Sequence, residues 1–139
     1  MDGLGRVFNV VAIADDVYVP LKNAAAVSFV CTLAAGDTFT VTSAASAGGS
    51  GAAVLATVDH FYDSTGTGSA WTKQTQAAAS TVVNNGTTGH DCSVFTISEA
   101  ELPAGHTHVK VASTSTGAVV AILHDLKVQR APENLPALV

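Results

Sequence analysis

Residues 26–33 read AVSFVCTL, with Val27, Phe29, Cys31 and Leu33 on one side of an extended chain and Ser28 and Thr32 on the other. Successive side chains of a strand point to opposite faces, so this period of two marks a strand with one buried face. The same alternation recurs on either side of it. In residues 37–43, Phe39 and Val41 alternate with Thr38, Thr40 and Thr42. In residues 92–97, Ser93, Phe95 and Ile97 share a face. In residues 106–113, Thr107, Val109 and Val111 oppose His106, His108 and Lys110. The abundance of β-branched residues suits a pleated surface. Residues 117–126, GAVVAILHDL, are apolar at every position from Val119 to Leu123, which predicts a central strand covered on both faces. Further strands are expected at residues 7–13 and 17–21, in AWTKQTQ (70–76) and in STVVN (80–84). Turn signals separate them at Ala35-Gly36-Asp37, Asn84-Asn85-Gly86, Pro103-Ala104-Gly105 and residues 114–117.

One stretch departs from this pattern. After SAGGSG (46–51), which reads as a flexible connector, Val54, Leu55, Val58, Phe61 and Tyr62 fall at helical spacing, with Thr57, Asp59 and His60 opposite. Ser50 is placed to cap a helix and Gly66 to end it, so one short helix is predicted at about 52–62. A shorter helical turn is expected at residues 98–102, where Ser98 and Glu101 have capping-box spacing. The sum is a mainly β chain: a two-layer antiparallel β-sandwich, jelly-roll-like, of about eight or nine strands with that helix at an edge or end. Residues 1–130 form a single β-rich domain and residues 131–139 an irregular apolar tail. Pro132 and Pro136 oppose regular structure there. Ala131, Pro132, Leu135, Pro136, Leu138 and Val139 are the candidate partner-interface residues; such a tail packs on its own domain or inserts into a partner.

Composition narrows the function. Hydrophobic residues make up 47% and charged residues 12% of the 139 residues. The charged share is about half the usual one, so much of the surface must be Ala, Ser, Thr and Gly. The net charge is −5 and no Lys/Arg cluster is present, which argues against nucleic acid and against a polybasic membrane anchor. No apolar run approaches the roughly 20 residues that span a bilayer. The opening MDGLGRVFNVVAIADD lacks the order of a secretion signal, so synthesis in a cytoplasm is expected. Cys31 and Cys92 fit no zinc motif and are expected as two buried thiols rather than a disulfide.

Residues with chemical potential each have a plainer structural reading. His106 and His108, two apart in a strand, would share a face and place two imidazoles on one metal, with a third ligand from His60, His90 or Asp91. Lys110 continues that row and would repel a cation, so solvent-facing histidines are expected. His90-Asp91 and His124-Asp125 spell the pair found in metal phosphohydrolases, but that chemistry needs the pair on a helix. A Ser/His/Asp set is allowed by composition, yet no G-x-S-x-G elbow is present. GGSGAA is not a phosphate loop, because no Lys-Ser/Thr follows. Asp15-Asp16 fit a turn, and Glu99 and Glu101 the first turn of the short helix. Trp71 and Phe61-Tyr62 are expected to knit helix to sheet rather than to form a sugar-stacking platform. No catalytic, cofactor-binding or metal-ligating residue is therefore assigned, and the chain is expected not to be an enzyme.

The runs AWTKQTQAAASTVV (70–83) and AELPAGHTHVKV (100–111), and above all AILHDLKVQRAPENLPALV (121–139), resemble a family of small capsid decoration or minor capsid proteins of actinobacterial tailed phages. AVLATVDHFY (53–62) is similar too, and residues 1–26 contribute least. The resemblance brings no catalytic motif. It implies a virion structural protein on the capsid exterior, synthesised in the host cytoplasm and bound to the major capsid protein. Its oligomer is expected to be cyclic, with a trimer at a local three-fold position. The alternative is a tail-associated adsorption protein that binds host carbohydrate through the loops around Trp71. A third reading is a metal-dependent cell-wall hydrolase using His106 and His108.

Overall fold

A computed structural model describes residues 4–5, 7–13, 16–32, 37–65, 69–84 and 92–135. Among the described residues eleven strands run in chain order: β1 Phe8–Ala12, β2 Val19–Pro20, β3 Ala24–Thr32, β4 Thr38–Ala44, β5 Ala53–Val54, β6 Val58–Ser64, β7 Thr72–Ala79, β8 Thr81–Val83, β9 Cys92–Ser98, β10 His108–Ser113 and β11 Ala118–Leu126. They form two antiparallel sheets packed as a sandwich. One has six strands in the order β1-β11-β3-β9-β6-β7; the other runs β2-β10-β4-β5, with β8 also paired to β4.

The alternating residues go where their period requires. Val27, Phe29 and Cys31 of β3 and Phe95 and Ile97 of β9 face inward from the large sheet. Phe39, Val41, Val82, Val109 and Val111 meet them from the small one. Phe29 and Phe95 are direct cross-strand partners, with ring centroids 5.8 Å apart. Truncating one such buried aromatic costs about 3–5 kcal/mol.

No helix forms at 52–62. SAGGSG is a hydrogen-bonded turn, with Ala45 N donating to Ser50 O (2.9 Å) and Gly49 N to Ser46 O (3.0 Å). It joins β4 to β5, and Ser50 caps no helix. Gly49 has φ +78°, and a Cβ there would lie 3.2 Å from the Tyr18 ring. The chain then continues into β6, whose register against β7 shifts between Val58 and His60. That irregularity turns Val58 and Phe61, three residues apart, to the same buried side. An inward spacing of three is what an amphipathic helix would also show. The Gln76 side-chain amide fills the gap in the ladder, donating to Val58 O and Thr81 O at 2.9 Å each.

Two further expectations change. β11 is central in its sheet but covered on one face only: Val119, Ala121 and Leu123 are buried, while Val120 is 37% exposed. In the tail, Pro132–Asn134 forms a 3-10 turn with the proline at its start, where a missing N–H costs nothing. The predicted turn at 98–102 is present, a 3-10 turn Glu99–Glu101 with both capping-box bonds.

Asp37 closes the fold. It is 1% exposed. It accepts hydrogen bonds from Ser113 Oγ (2.5 Å), Thr114 N (3.1 Å), Thr114 Oγ1 (3.0 Å) and Gly117 N (3.1 Å). These are the residues that carry the chain from β10 in one sheet to β11 in the other. Its own carbonyl accepts from Asn84 N at the end of β8 (2.9 Å). Burial opposes its charge, and the hydrogen bonds from Ser113 and Thr114 outweigh that, so its carboxyl titrates below the ordinary value.

Asp37→Ala is expected to lower unfolding free energy by about 3 kcal/mol, because buried donors lose a charged acceptor; a urea titration reads this. Since the folded pKa is depressed, the stabilisation is complete above the unfolded value of 3.8 and is lost as pH falls through the folded one. Asp37→Asn is expected to be less stable at neutral pH and to lose less of its stability on acidification. A Cβ at Gly117 would lie 2.7 Å from Phe39 Cζ. Gly117→Ala is therefore expected to lower the melting temperature, with a cost of about 1–3 kcal/mol.

Candidate functional site

The two sequence-predicted histidines diverge. His106 Nδ1 lies 2.8 Å from the Oγ of Ser43, a buried residue on the core side of β4. His108 begins β10 in the outward set with Lys110, since Val109 and Val111 between and beyond it are fully buried. Its Nδ1 is 2.8 Å from Thr107 Oγ1. Lys110 pairs with Asp16 and lies 4.8 Å over the Tyr18 ring. Among the described residues, no three His, Cys, Asp or Glu side chains are grouped to hold a metal ion. His90 and Asp91 lie outside the described residues, as do Asp15 and Gly66.

The cysteines occupy opposite faces of the large sheet. Cys31 pairs with inward Ser93 and is buried; Cys92 pairs with outward Thr32 and is half-buried. Neither is in a disulfide, and burial pushes the Cys92 thiol up from its ordinary value.

The aromatics split. Phe61 is in the core, but Tyr62 and Trp71 are 43% and 51% exposed. Tyr62 belongs to a larger feature. In the register of the six-stranded sheet, Val120, Val30, Val94 and Tyr62 stand side by side across β11, β3, β9 and β6. Val10 and Ile122 adjoin them in the next outward row, which continues through Ser28 to Thr96. Phe8 and His124 begin a third row. Phe8, Val10 and Val120 are each more than a third exposed. At the usual strand spacing this apolar surface spans about 19 Å from β1 to β6. Single exposed apolar residues are ordinary, but a contiguous set on one face marks a contact surface. Sequence periodicity missed it because each strand contributes only one or two outward apolar residues, and only the register assembles them.

His124 is held within this face. Its Nδ1 is 2.8 Å from Asp125 Oδ2 and its Nε2 3.0 Å from Ser28 Oγ, which is 2.7 Å from Thr96 Oγ1. The His124-Asp125 pair, set aside as a metal site on its strand position, thus forms a side-chain chain across three strands.

The tail packs on the chain's own start. Arg130 N donates to Gly5 O (2.6 Å), and a Cβ at Gly5 would lie 3.2 Å from Leu135 Cδ2. Ala131, Pro132 and Leu135 are half-buried. Pro136, Leu138 and Val139 lie outside the described residues. Because Gly5 N also donates to Phe8 O (2.8 Å), the tail begins beside the β1 edge of the apolar face. Among the described residues no helix is long and apolar enough to cross a membrane.

Comparison with family models, curated proteins and solved structures gave no match.

Alkylation is expected to add two groups to the unfolded chain without prior reduction. In the native protein Cys92 should react first, and Cys31 only at the rate of unfolding. Quantitative mass spectrometry distinguishes this from a disulfide, which would block both.

Proposed function

We propose that the chain is a virion structural protein that decorates the outside of a tailed-phage capsid by binding the major capsid protein. The supporting observation is the apolar outer face of the six-stranded sheet, carried on a rigid sandwich whose charged content is low. The resemblance of residues 70–83, 100–111 and 121–139 to small phage capsid proteins supplies the partner. Docking of a sheet face on a shell removes apolar surface from water without requiring either partner to reorganise. The tail residues Ala131, Pro132 and Leu135 extend the contact from the β1 edge, and Pro136, Leu138 and Val139 are kept as candidate partner-interface residues from the sequence alone. A trimer at local three-fold positions is the proposed assembly, and its symmetry multiplies the modest energy of each contact.

A second reading draws on the exposure of Trp71 and Tyr62: a tail-associated protein that stacks host carbohydrate on these rings. Copy number separates the two, since decoration requires hundreds of copies over the shell and adsorption a few at the tail.

Val94→Lys places a charge in the middle of the face while leaving the core untouched. It is expected to reduce sedimentation with assembled shells at least tenfold, about 1.4 kcal/mol, while the melting temperature stays close to that of the parent. Undiminished shell binding, or a parent protein imaged only at the tail, overturns the decoration role.

A further inference from the structure

Ser28 lies in the middle of β3 on the outer face, level with Ile122 on one side and Thr96 on the other. Its Oγ is 3.0 Å from His124 Nε2, and His124 Nδ1 is 2.8 Å from Asp125 Oδ2. Consecutive residues of a strand normally point to opposite faces, so residues 124 and 125 would not ordinarily meet. Asp125 has φ +52°, the left-handed region that side chains other than glycine, asparagine and aspartate seldom adopt. That backbone breaks the alternation and brings the carboxylate back to the ring before it.

The protons follow from the partners. The Asp125 carboxylate only accepts, so Nδ1 carries the hydrogen and Nε2 is left with a lone pair toward Ser28. Ser28 donates to Nε2, and Thr96 Oγ1, 2.7 Å away, donates to Ser28. A nucleophile, a base and a group that orients the base thus stand in hydrogen-bonding order, the arrangement that activates a serine.

We propose that Ser28 is a base-activated nucleophile and an acylation site on this face, accepting acyl groups from activated esters or thioesters. Ser28 Oγ attacks the carbonyl carbon while its proton passes to His124 Nε2. The carbon–oxygen or carbon–sulfur bond to the leaving group then breaks, and the imidazolium returns the proton to the departing alkoxide or thiolate. The products are a Ser28 ester and a free alcohol or thiol. No oxidant, metal or further reactant enters. Asp125 keeps the ring in the reactive tautomer and stabilises its charged form.

The surroundings set the kind of substrate. Val10 and Ile122 share the row of Ser28, and Phe8 is level with His124, giving an aliphatic acyl chain an apolar bed. β3 is paired on both sides, by β11 and β9, so the backbone N–H groups near Ser28 are committed to the ladder. The one hydroxyl hydrogen of Thr96 is directed at Ser28 Oγ. A single well-placed oxyanion donor is worth about 100- to 1,000-fold in rate. A site without a backbone pair of donors therefore favours one acylation by an already activated donor over rapid turnover. The inference is independent of whether the face docks on a shell.

The test uses the purified full chain with p-nitrophenyl acetate and, separately, an alkyl fluorophosphonate, read by intact mass and peptide mapping. The expected result is one adduct per chain on Ser28. It should be absent in Ser28→Ala and at least tenfold slower in His124→Gln. Asp125→Asn, which tolerates the same backbone conformation, should slow labelling at least tenfold with an unchanged melting temperature, separating activation from folding. Absence of a Ser28 adduct, equal labelling of other hydroxyls, or parental rates in Asp125→Asn overturns the proposal.

Discussion

The packing of Phe29 against Phe95 determines which way every strand of the large sheet faces. The two rings are cross-strand partners on adjacent strands, and both are almost completely buried. With them inside, the period of two sends Ser28, Val30, Val94 and Thr96 outside. Neighbouring strands inherit that choice through the ladder, so Val120, Ile122, Val10 and Phe8 follow on β11 and β1. A slip of one residue would exchange core and surface completely, and the loss of the buried aromatic pair forbids it. The apolar outer face and the Ser28 network are therefore consequences of how the core is filled.

A second constraint operates at the end of the sandwich. The chain must leave the small sheet at β10 and enter the large sheet at β11 within a few residues. Four groups between Ser113 and Gly117 lose water there, and the Asp37 carboxylate answers all of them. A buried charge is tolerated because its acceptor capacity is filled. The connection is held by hydrogen bonds rather than by side-chain bulk, which explains why glycine stands at 117, against Phe39.

Much of this was legible in the sequence. The strands around Phe29, Phe39, Phe95 and Val109, the turn at Pro103-Ala104-Gly105 and the capped 3-10 turn at Glu99 follow from local pattern and chemistry, while the turns expected at 35–37 and 84–86 fall largely outside the described residues. The misreading at 52–62 has a specific cause: the register shift at the start of β6 makes Val58 and Phe61 face the same way, and an inward spacing of three is shared by bulged strands and helices. The second surface of β11 was misjudged for a different reason. An unbroken apolar run reports that both faces avoid charge, but it does not say whether something within the chain covers the second one. The Ser28–His124 contact was hidden because its members are separated by most of the chain, and Trp71 and Tyr62 read as core because aromatic residues usually are.

The outer face joins an apolar patch, a polar chain of hydroxyl, imidazole and carboxylate, and the beginning of the C-terminal tail. Under the proposed role, it meets a capsid shell. Hydroxyl-radical footprinting of free protein and of protein on purified particles examines that directly, because oxidation reports the accessibility of individual side chains. The account predicts that Phe8, Tyr62 and Val120 lose reactivity on particles while Trp71, beside the outermost strand, keeps most of its own. Full reactivity at those three residues, with protection confined to the opposite sheet or to Trp71, would contradict it.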